Sequence, residues 1–265
     1  MKIGVSTASY FGKMVTEDVY DELNRIGVPV CETFLTTFME YEPEFTAELL
    51  KRKGNLEVYS VHALTNNFEP QLFNIAERTR NDAMKYFDKM LDSASLLGAK
   101  VYTFHGGMKL KRTSRCNIES VGKYVEQLSQ RAQAKGITLA YENVHWAYYN
   151  YPEFIEELSQ YAPSIHTCLD IKQAMQSGIS YEKYLEKMGD RLVNVHLCDY
   201  DSNGNLSVCG NGEVDFYELF CRLIDAGYDK TCIMEVYSKD YSNFDEIKKG
   251  YEYLLNTYER AKRVF

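Results

Sequence analysis

Six short apolar runs in this chain end on a residue able to do acid–base or metal chemistry. They read Ser60-Val61-His62, Thr103-Phe104-His105-Gly106-Gly107, Ala140-Tyr141-Glu142-Asn143, Cys168-Leu169-Asp170, Val195-His196-Leu197-Cys198-Asp199 and Ile233-Met234-Glu235-Val236. Burying several carboxylates together is costly unless a cation neutralises them. Glu142, Asp170, His196 and Glu235 offer three carboxylates and one imidazole, a donor set that suits Mn²⁺, Mg²⁺, Co²⁺ or Zn²⁺. A lone polar residue at a strand end is more often a cap or a loop contact, and His62 by itself is as readily structural as functional. Three of the chain's five histidines at equivalent ends, beside three carboxylates, is a convergence that marks a site. His145 follows Glu142 closely and is expected at the same mouth. His166 begins its run and is expected at the opposite end, as a structural residue.

The elements that must position these residues alternate regularly. Eight apolar runs, Ile3–Thr7, Val28–Phe34, Leu56–His62, Lys100–His105, Ile137–Glu142, Ile165–Asp170, Leu192–Leu197 and Thr231–Val236, are each followed by an amphipathic helical stretch. Thr16 is expected to cap the first helix, ahead of Val19, Leu23 and Ile26 at helical spacing. Eight strand–helix repeats in 265 residues predict an α/β fold, a (β/α)₈ TIM barrel, with residues 1–265 as one domain. An open nucleotide-binding sheet would need a glycine-rich phosphate turn after the first strand, and Ser6-Thr7-Ala8-Ser9-Tyr10 is not one. In a barrel, the C-terminal strand ends converge on one mouth, where active sites form.

The net charge of −8 disfavours general nucleic-acid binding and favours a cation at the mouth. Seven cysteines with no CxxC pair, mostly inside apolar runs, point to reduced thiols and a cytoplasmic setting. The N-terminus lacks a signal peptide's apolar stretch, and no apolar run is long enough to span a bilayer. The charged stretch Lys109 to Arg115 reads as a solvated loop, with a lesser chance of gripping a phosphate group. Asp199-Tyr200-Asp201-Ser202-Asn203-Gly204 opens like a calcium loop, but Gly210 stands where the bidentate glutamate belongs, so a polar turn is expected.

The motifs Tyr141-Glu142-Asn143, Leu169-Asp170-Ile171-Lys172-Gln173-Ala174, Val195-His196-Leu197-Cys198-Asp199, Gly210-Asn211-Gly212-Glu213-Val214-Asp215-Phe216 and Met234-Glu235 resemble the sugar phosphate isomerase/epimerase members of the xylose-isomerase-like barrel superfamily. That superfamily also holds the endonuclease IV type of DNA repair enzyme. The resemblance covers essentially the whole chain. It implies that Glu142, Asp170, His196 and Glu235 hold one divalent metal and that Glu142 and Glu235 also move protons. His62 and His105 match two ligands of the repair enzymes' three-metal cluster. Gln173 replaces a third, and the Asp-x-His pair after the seventh strand gives way to Gly204-Asn205-Leu206, so that cluster looks broken. Gln173 also replaces a histidine that many epimerases use on the sugar.

The implied chemistry is proton transfer next to the carbonyl of a small carbohydrate, as an epimerase or aldose–ketose isomerase. An inosose-dehydratase-like elimination is an alternative, and hydrolysis at abasic DNA a weaker one. A non-catalytic carbohydrate-binding barrel would leave the carboxylate quartet without a purpose. His62, His105, Trp146, Lys172, Gln173 and Asp199 are the expected substrate contacts. For Lys172 a solvated position at the helix start is nearly as good a reading, and Asp199 is placed to approach the metal or a hydroxyl. Of the loop aromatics Phe11, Phe34, Phe68, Trp146, Tyr148, Tyr149, Tyr200 and Tyr237, Trp146 is the strongest candidate for a sugar face. The others serve equally as loop packing or as the interface of a homo-oligomer.

Overall fold

The computed structural model describes residues 1–64, 67–109, 111 and 116–264. Of the Lys109–Arg115 run, Lys109 and Lys111 are among them, and the rest of that stretch lies outside the described residues. The eight runs form eight parallel strands: β1 (Lys2–Ser6), β2 (Val30–Leu35), β3 (Glu57–Ala63), β4 (Val101–Phe104), β5 (Thr138–Glu142), β6 (His166–Asp170), β7 (Leu192–Leu197) and β8 (Thr231–Met234). They pair in chain order and close into a barrel, with Ile3 of β1 opposite Cys232 of β8. The outer layer is α1 (Thr16–Ile26), α2 (Pro43–Arg52), α3 (Glu77–Leu97), α4 (Ile118–Gln133), α5 (Phe154–Ser159), α6 (Ile171–Gln176), α7 (Tyr181–Met188), α8 (Phe216–Asp225) and α9 (Phe244–Lys262). None of the described helices is long and apolar enough to cross a membrane.

Two sequence expectations are corrected. Thr16 is the first residue of α1, not its cap; Val15 holds that place, and the Thr16 hydroxyl donates instead to the Phe34 carbonyl at 3.2 Å. The hydroxyl thereby ties the helix start to β2 rather than to its own free N–H groups. The last strand is also shorter than its apolar run and ends at Met234, so Glu235 sits just beyond it, anchored by its N–H donating to the Leu197 carbonyl at 2.9 Å.

The barrel interior is filled in layers, as side chains two apart along a strand share a face. Val30, Tyr59, Val101, Ala140 and Cys168 form an apolar plug. A polar layer follows, built from Glu32, Ser60, Thr103 and Asn194 and bonded together. The next layer is the mouth. Along β4 and the residue after it this succession is Val101, Thr103, His105; in β2 it is Val30, Glu32, Phe34.

Candidate active site and metal centre

Glu142 and Asp170 are the last residues of β5 and β6, and His196 lies near the end of β7. Asn143 locks the first two ends together: its side-chain N–H donates to the Asp170 carbonyl at 2.9 Å, and its Oδ1 accepts the Asp170 N–H at 2.8 Å. Glu235 completes the group across the mouth. One ligand atom from each of Glu142, Asp170, His196 and Glu235 lies within 4.8 Å of the others, and all four residues are buried. His196 Nδ1 is 3.2 Å from Glu142 Oε1, 3.5 Å from Glu235 Oε2 and 3.9 Å from Asp170 Oδ2.

The donors are aimed and under-satisfied. Asp170 Oδ1 caps α6 by accepting the Gln173 N–H at 2.9 Å, which leaves Oδ2 for the centre. Asp170 Oδ2 and Glu142 Oε2 are buried and take no well-aimed hydrogen bond, although Lys172 Nζ stands 3.2 Å from the first and His105 Nε2 3.4 Å from the second. Burial raises the Asp170 carboxyl; Lys172 opposes this and the Glu142 and Glu235 charges add to it, bringing the group to about 6. Buried acceptors without a directed donor are expensive. A divalent cation among three carboxylates and one imidazole removes that cost, so the residues present fit the metal that the donor set implies.

Two histidines stand beside this group. His62 Nδ1 meets Glu32 Oε1 at 3.2 Å, and His105 Nδ1 meets Glu69 Oε2 at 2.8 Å. Their Nε2 atoms face each other at 2.7 Å, and His105 Nε2 is 3.4 Å from Glu142 Oε2. Donor atoms of His62, His105 and Glu142 likewise fall within 4.8 Å of one another. The backbone turns sharply behind His105: Gly106 has φ of 76°, and a Cβ there would lie 2.0 Å from the Tyr141 hydroxyl.

Glu32 and Glu69 are functional candidates that the sequence did not reveal. Both are fully buried. Glu32 lies beneath the quartet and accepts from Ser60 Oγ (2.7 Å), Thr103 Oγ1 (2.7 Å), Asn194 Nδ2 (3.1 Å) and His196 Nε2 (3.1 Å), besides His62. Burial alone would raise its carboxyl, but the imidazoles of His196 and His62 outweigh that and hold it well below the usual range. Glu69, in a 3₁₀ turn after β3, also accepts the Tyr102 hydroxyl at 2.7 Å and the His105 N–H at 3.0 Å. The one signal was a carboxylate, Glu32, inside the apolar run Val28–Phe34.

A cavity of about 320 Å³ opens above the quartet. Its polar lining is His62, His105, Glu142, Lys172, Gln173 and Glu235, and its aromatic wall is Phe11, Phe34, Trp146 and Tyr237. Lys172 is not solvated. It is 1 % exposed, with Nζ 3.0 Å from Glu235 Oε2, 3.2 Å from Asp170 Oδ2 and 4.6 Å from the Tyr237 ring centre. Burial disfavours its charge, but Asp170 and Glu235 outweigh burial and hold the ammonium firmly charged. Gln173 Oε1 accepts from the His145 ring at 2.6 Å.

Asp199 stands apart from this lining. Its carboxylate accepts the backbone N–H groups of Tyr200 (2.9 Å), Gly210 (2.8 Å), Gly212 (2.9 Å) and Val214 (3.0 Å). It therefore organises the loop after β7 and is not among the residues lining the cavity. A Cβ at Gly212 would fall 2.4 Å from Asp199 Oδ1, so only glycine lets the loop close this tightly. The calcium-like segment is a hairpin pairing Asp199–Tyr200 with Leu206–Ser207, with Asp201 capping the turn at Asn203 and Asn205. Phe68 and Tyr149 are core residues, packed on Tyr41 and Phe154. Tyr148 and Tyr200 do not line the cavity either. His166 opens β6, at the far end from the mouth, as expected.

The loops after β4 and β5 are zipped together. Lys109 N–H donates to the Trp146 carbonyl at 3.1 Å, Tyr148 N–H donates to the Gly107 carbonyl at 2.9 Å, and Met108 and Ala147 form a β-bridge. Trp146 is thereby fixed over His105, with ring centres 5.8 Å apart.

Residues 20–257 match the family model of the xylose isomerase-like TIM barrel. No curated protein matches the chain in sequence. Among solved structures, a D-tagatose 3-epimerase-like protein superposes with a TM-score of 0.81 at 19% identity, covering 99% of each chain. A D-psicose 3-epimerase, solved in the presence of D-fructose, gives 0.77 at 14% identity over 98% of this chain and 99% of its own. The IOLI protein with a bound zinc atom gives 0.72 at 18% identity over 99% and 96%. At these identities the likeness speaks to the fold.

Proposed function

The chain belongs to the xylose isomerase-like TIM barrel family, and from that premise we propose that it is a metal-dependent sugar isomerase or epimerase that moves a proton next to a carbonyl. The observation that carries the reading is the pair Glu142 and Glu235, two buried carboxylates at the end of β5 and just beyond β8, set apart around one mouth, with ligand atoms within 4.8 Å of each other and of Asp170 and His196. Glu142, Asp170, His196 and Glu235 would hold the metal. When bound, a divalent ion there supplies Lewis-acid polarisation of a carbonyl and stabilises the charge that develops on its oxygen.

The chain's own residues do the rest. Glu142 and Glu235 reach a carbon in the cavity from different sides, so one removes its proton and the other delivers a proton to the opposite face. That inverts the centre; delivery to the neighbouring carbon instead interconverts aldose and ketose. Lys172 keeps Glu235 ionised for this work and offers its ammonium to a substrate oxygen. His62 and His105, pinned through Nδ1 by Glu32 and Glu69, present Nε2 atoms to substrate hydroxyls. Phe11, Phe34, Trp146 and Tyr237 cover the C–H faces and exclude water. The D-psicose 3-epimerase among the structural neighbours is named for a ketose, which supports a small-carbohydrate substrate for this site.

The test is NMR detection of proton exchange at the carbon beside the carbonyl of candidate ketoses in deuterated water, with Mn²⁺ or Zn²⁺ supplied. Glu142→Gln and Glu235→Gln keep an oxygen for the metal but cannot take the proton, so each should lose at least about a hundredfold in kcat. Near-normal turnover in a variant that retains metal removes that residue from the role. Loss of water without exchange at a retained centre would reassign the site to dehydration.

A further inference from the structure

A groove of about 840 Å³ runs outward from the metal cavity between the loops after β1 and β2, and Phe11 and Phe34 line both spaces. Those two rings meet edge to face with centres 5.7 Å apart, and Phe34 meets His62 in the same way at 5.4 Å. An apolar wall therefore continues from the metal cavity into the groove, where Met14, Val15, Met39 and Phe45 extend it. The loop after β1 is held in one shape by the N–H groups of Phe11, Lys13 and Met14, which donate to the carbonyls of Ala8 (3.1 Å), Tyr10 (2.9 Å) and Tyr10 (3.0 Å). Phe11, Val15 and Met39 are 47 %, 55 % and 75 % exposed. Three large apolar side chains left to water around one concavity mark a surface that something covers.

Most polar groups of the groove are already committed. Thr7 Oγ1 accepts the Phe34 N–H at 2.8 Å, the Thr16 hydroxyl donates to the Phe34 carbonyl at 3.2 Å, and the Thr36 hydroxyl donates to Glu40 Oε1 at 3.0 Å. Asp18 pairs with Arg52. Lys13, the one basic residue in the described lining, donates its Nζ to the Tyr241 carbonyl at 2.7 Å. A hydroxyl-rich occupant would find few partners there, and an anion would face Glu17, Asp18 and Glu40. Cavities of about 300–1,000 Å³ enclose most of a drug-sized ligand, so the metal cavity alone has room for a small sugar and the groove is surplus to it. Resting on the reading of the metal cavity as the carbonyl-binding site, we propose that the groove is a second subsite for the same substrate and holds a neutral aromatic group. The substrate is then a polyhydroxy carbonyl compound that carries an aromatic substituent at the end away from the metal. Phe11 and Phe34 stand at the junction and pack on the link between the two parts.

The experiment is calorimetric titration of the metal-loaded protein with the 6-O-methyl and 6-O-benzyl ethers of D-fructose and with 6-O-glucosyl-D-fructose. D-fructose supplies the common end because the D-psicose 3-epimerase neighbour was solved in its presence. The benzyl ether should bind at least about tenfold more tightly than the methyl ether, as burial of a phenyl ring allows. Val15→Asp and Met39→Asp, alone and together, should lose most of that preference. Both side chains are exposed, so either single variant decides the matter if the double variant misfolds. Equal affinity for the two ethers in the wild type, or no binding of the benzyl ether, overturns the proposal. Tighter binding of the glucosyl compound than of the benzyl ether shows that the groove reads hydroxyls and overturns the aromatic assignment. A wild-type dimer that dissociates in both variants by sedimentation equilibrium gives the groove to a second copy of the chain, and also overturns it. Binding is read without turnover. Absence of proton exchange beside an intact benzyl preference removes only the isomerase reading, and exchange on unsubstituted ketoses without that preference removes only the groove.

Discussion

Replacing Glu32 by glutamine tests whether the layer beneath the mouth positions the proposed metal ligand His196. The carboxylate lies 3.0 Å from His196 Nε2 through Oε1 and 3.1 Å through Oε2, and 3.2 Å from His62 Nδ1. Ser60, Thr103 and Asn194 donate to Oε2. Every neighbour is therefore a donor or can be one, and a glutamine must turn two N–H groups toward them. If the amide nitrogen replaces Oε1, His62 loses its acceptor and His196 keeps only Oε2; if it replaces Oε2, the Ser60, Thr103 and Asn194 donors must reorganise and His196 keeps only Oε1. Removing one partner of a buried ionic pair typically costs about 3–5 kcal/mol. In a domain of 265 residues that corresponds to a fall in Tm of about 5–9 °C. Outer partners of a metal-bound histidine are typically worth about 10–100-fold in metal affinity. Thermal denaturation of the metal-free and metal-loaded forms, with chelator competition for the metal Kd, measures both. A lowered Tm with metal affinity within twofold of wild type would show that Glu32 only holds the barrel together, and would refute its role in orienting His196.

Lys172→Met removes a positive charge 3.0 and 3.2 Å from two proposed ligand oxygens. Metal affinity should rise by about tenfold or more from the lost repulsion, while turnover falls. Unchanged affinity by chelator competition would mean that the ammonium swings away when metal binds. The Asp170 carboxyl, raised to about 6, is ionised above that pH and protonated below it. Protons therefore compete with the metal, and apparent metal affinity should drop as pH falls through 6; a flat profile from pH 7 to 5 would contradict this. Asp199→Ala strands four backbone donors that converge on one carboxylate. It should destabilise the protein by about 3 kcal/mol or more and raise amide exchange between residues 199 and 214; exchange confined to its native rate would refute the anchoring role.

The barrel and the quartet were legible because each depends on local pattern. Apolar runs end on a polar residue at the same relative place, and eight repeats leave little choice of topology. Glu32 was hidden because its partners come from other strands, 28 to 164 residues away in the chain. Nothing near Cys31-Glu32-Thr33 reports that Ser60, Thr103, Asn194 and two histidines converge there. Glu69, inside Phe68-Glu69-Pro70, looks like an ordinary surface loop until His105 folds over it. Asp199 misled for the opposite reason. It lies three residues beyond His196, where a mouth residue belongs, but its carboxylate is taken up by amides up to fifteen residues downstream. Lys172 carries a charge that predicts solvent, and only the facing carboxylates explain its burial.

The zipper between the loops after β4 and β5 has a consequence for how such a barrel can change its substrate. Main-chain bonds join Gly107, Met108 and Lys109 to Trp146, Ala147 and Tyr148, so each of these two segments holds the other's backbone in place. The strand-borne carboxylates stay where the barrel puts them, whichever loops sit above. Specificity is then inherited as a pair of segments: recombination that grafts one loop from a homologous barrel should yield misassembled mouths, whereas exchange of both together should move selectivity as a cassette and leave the reacting end untouched.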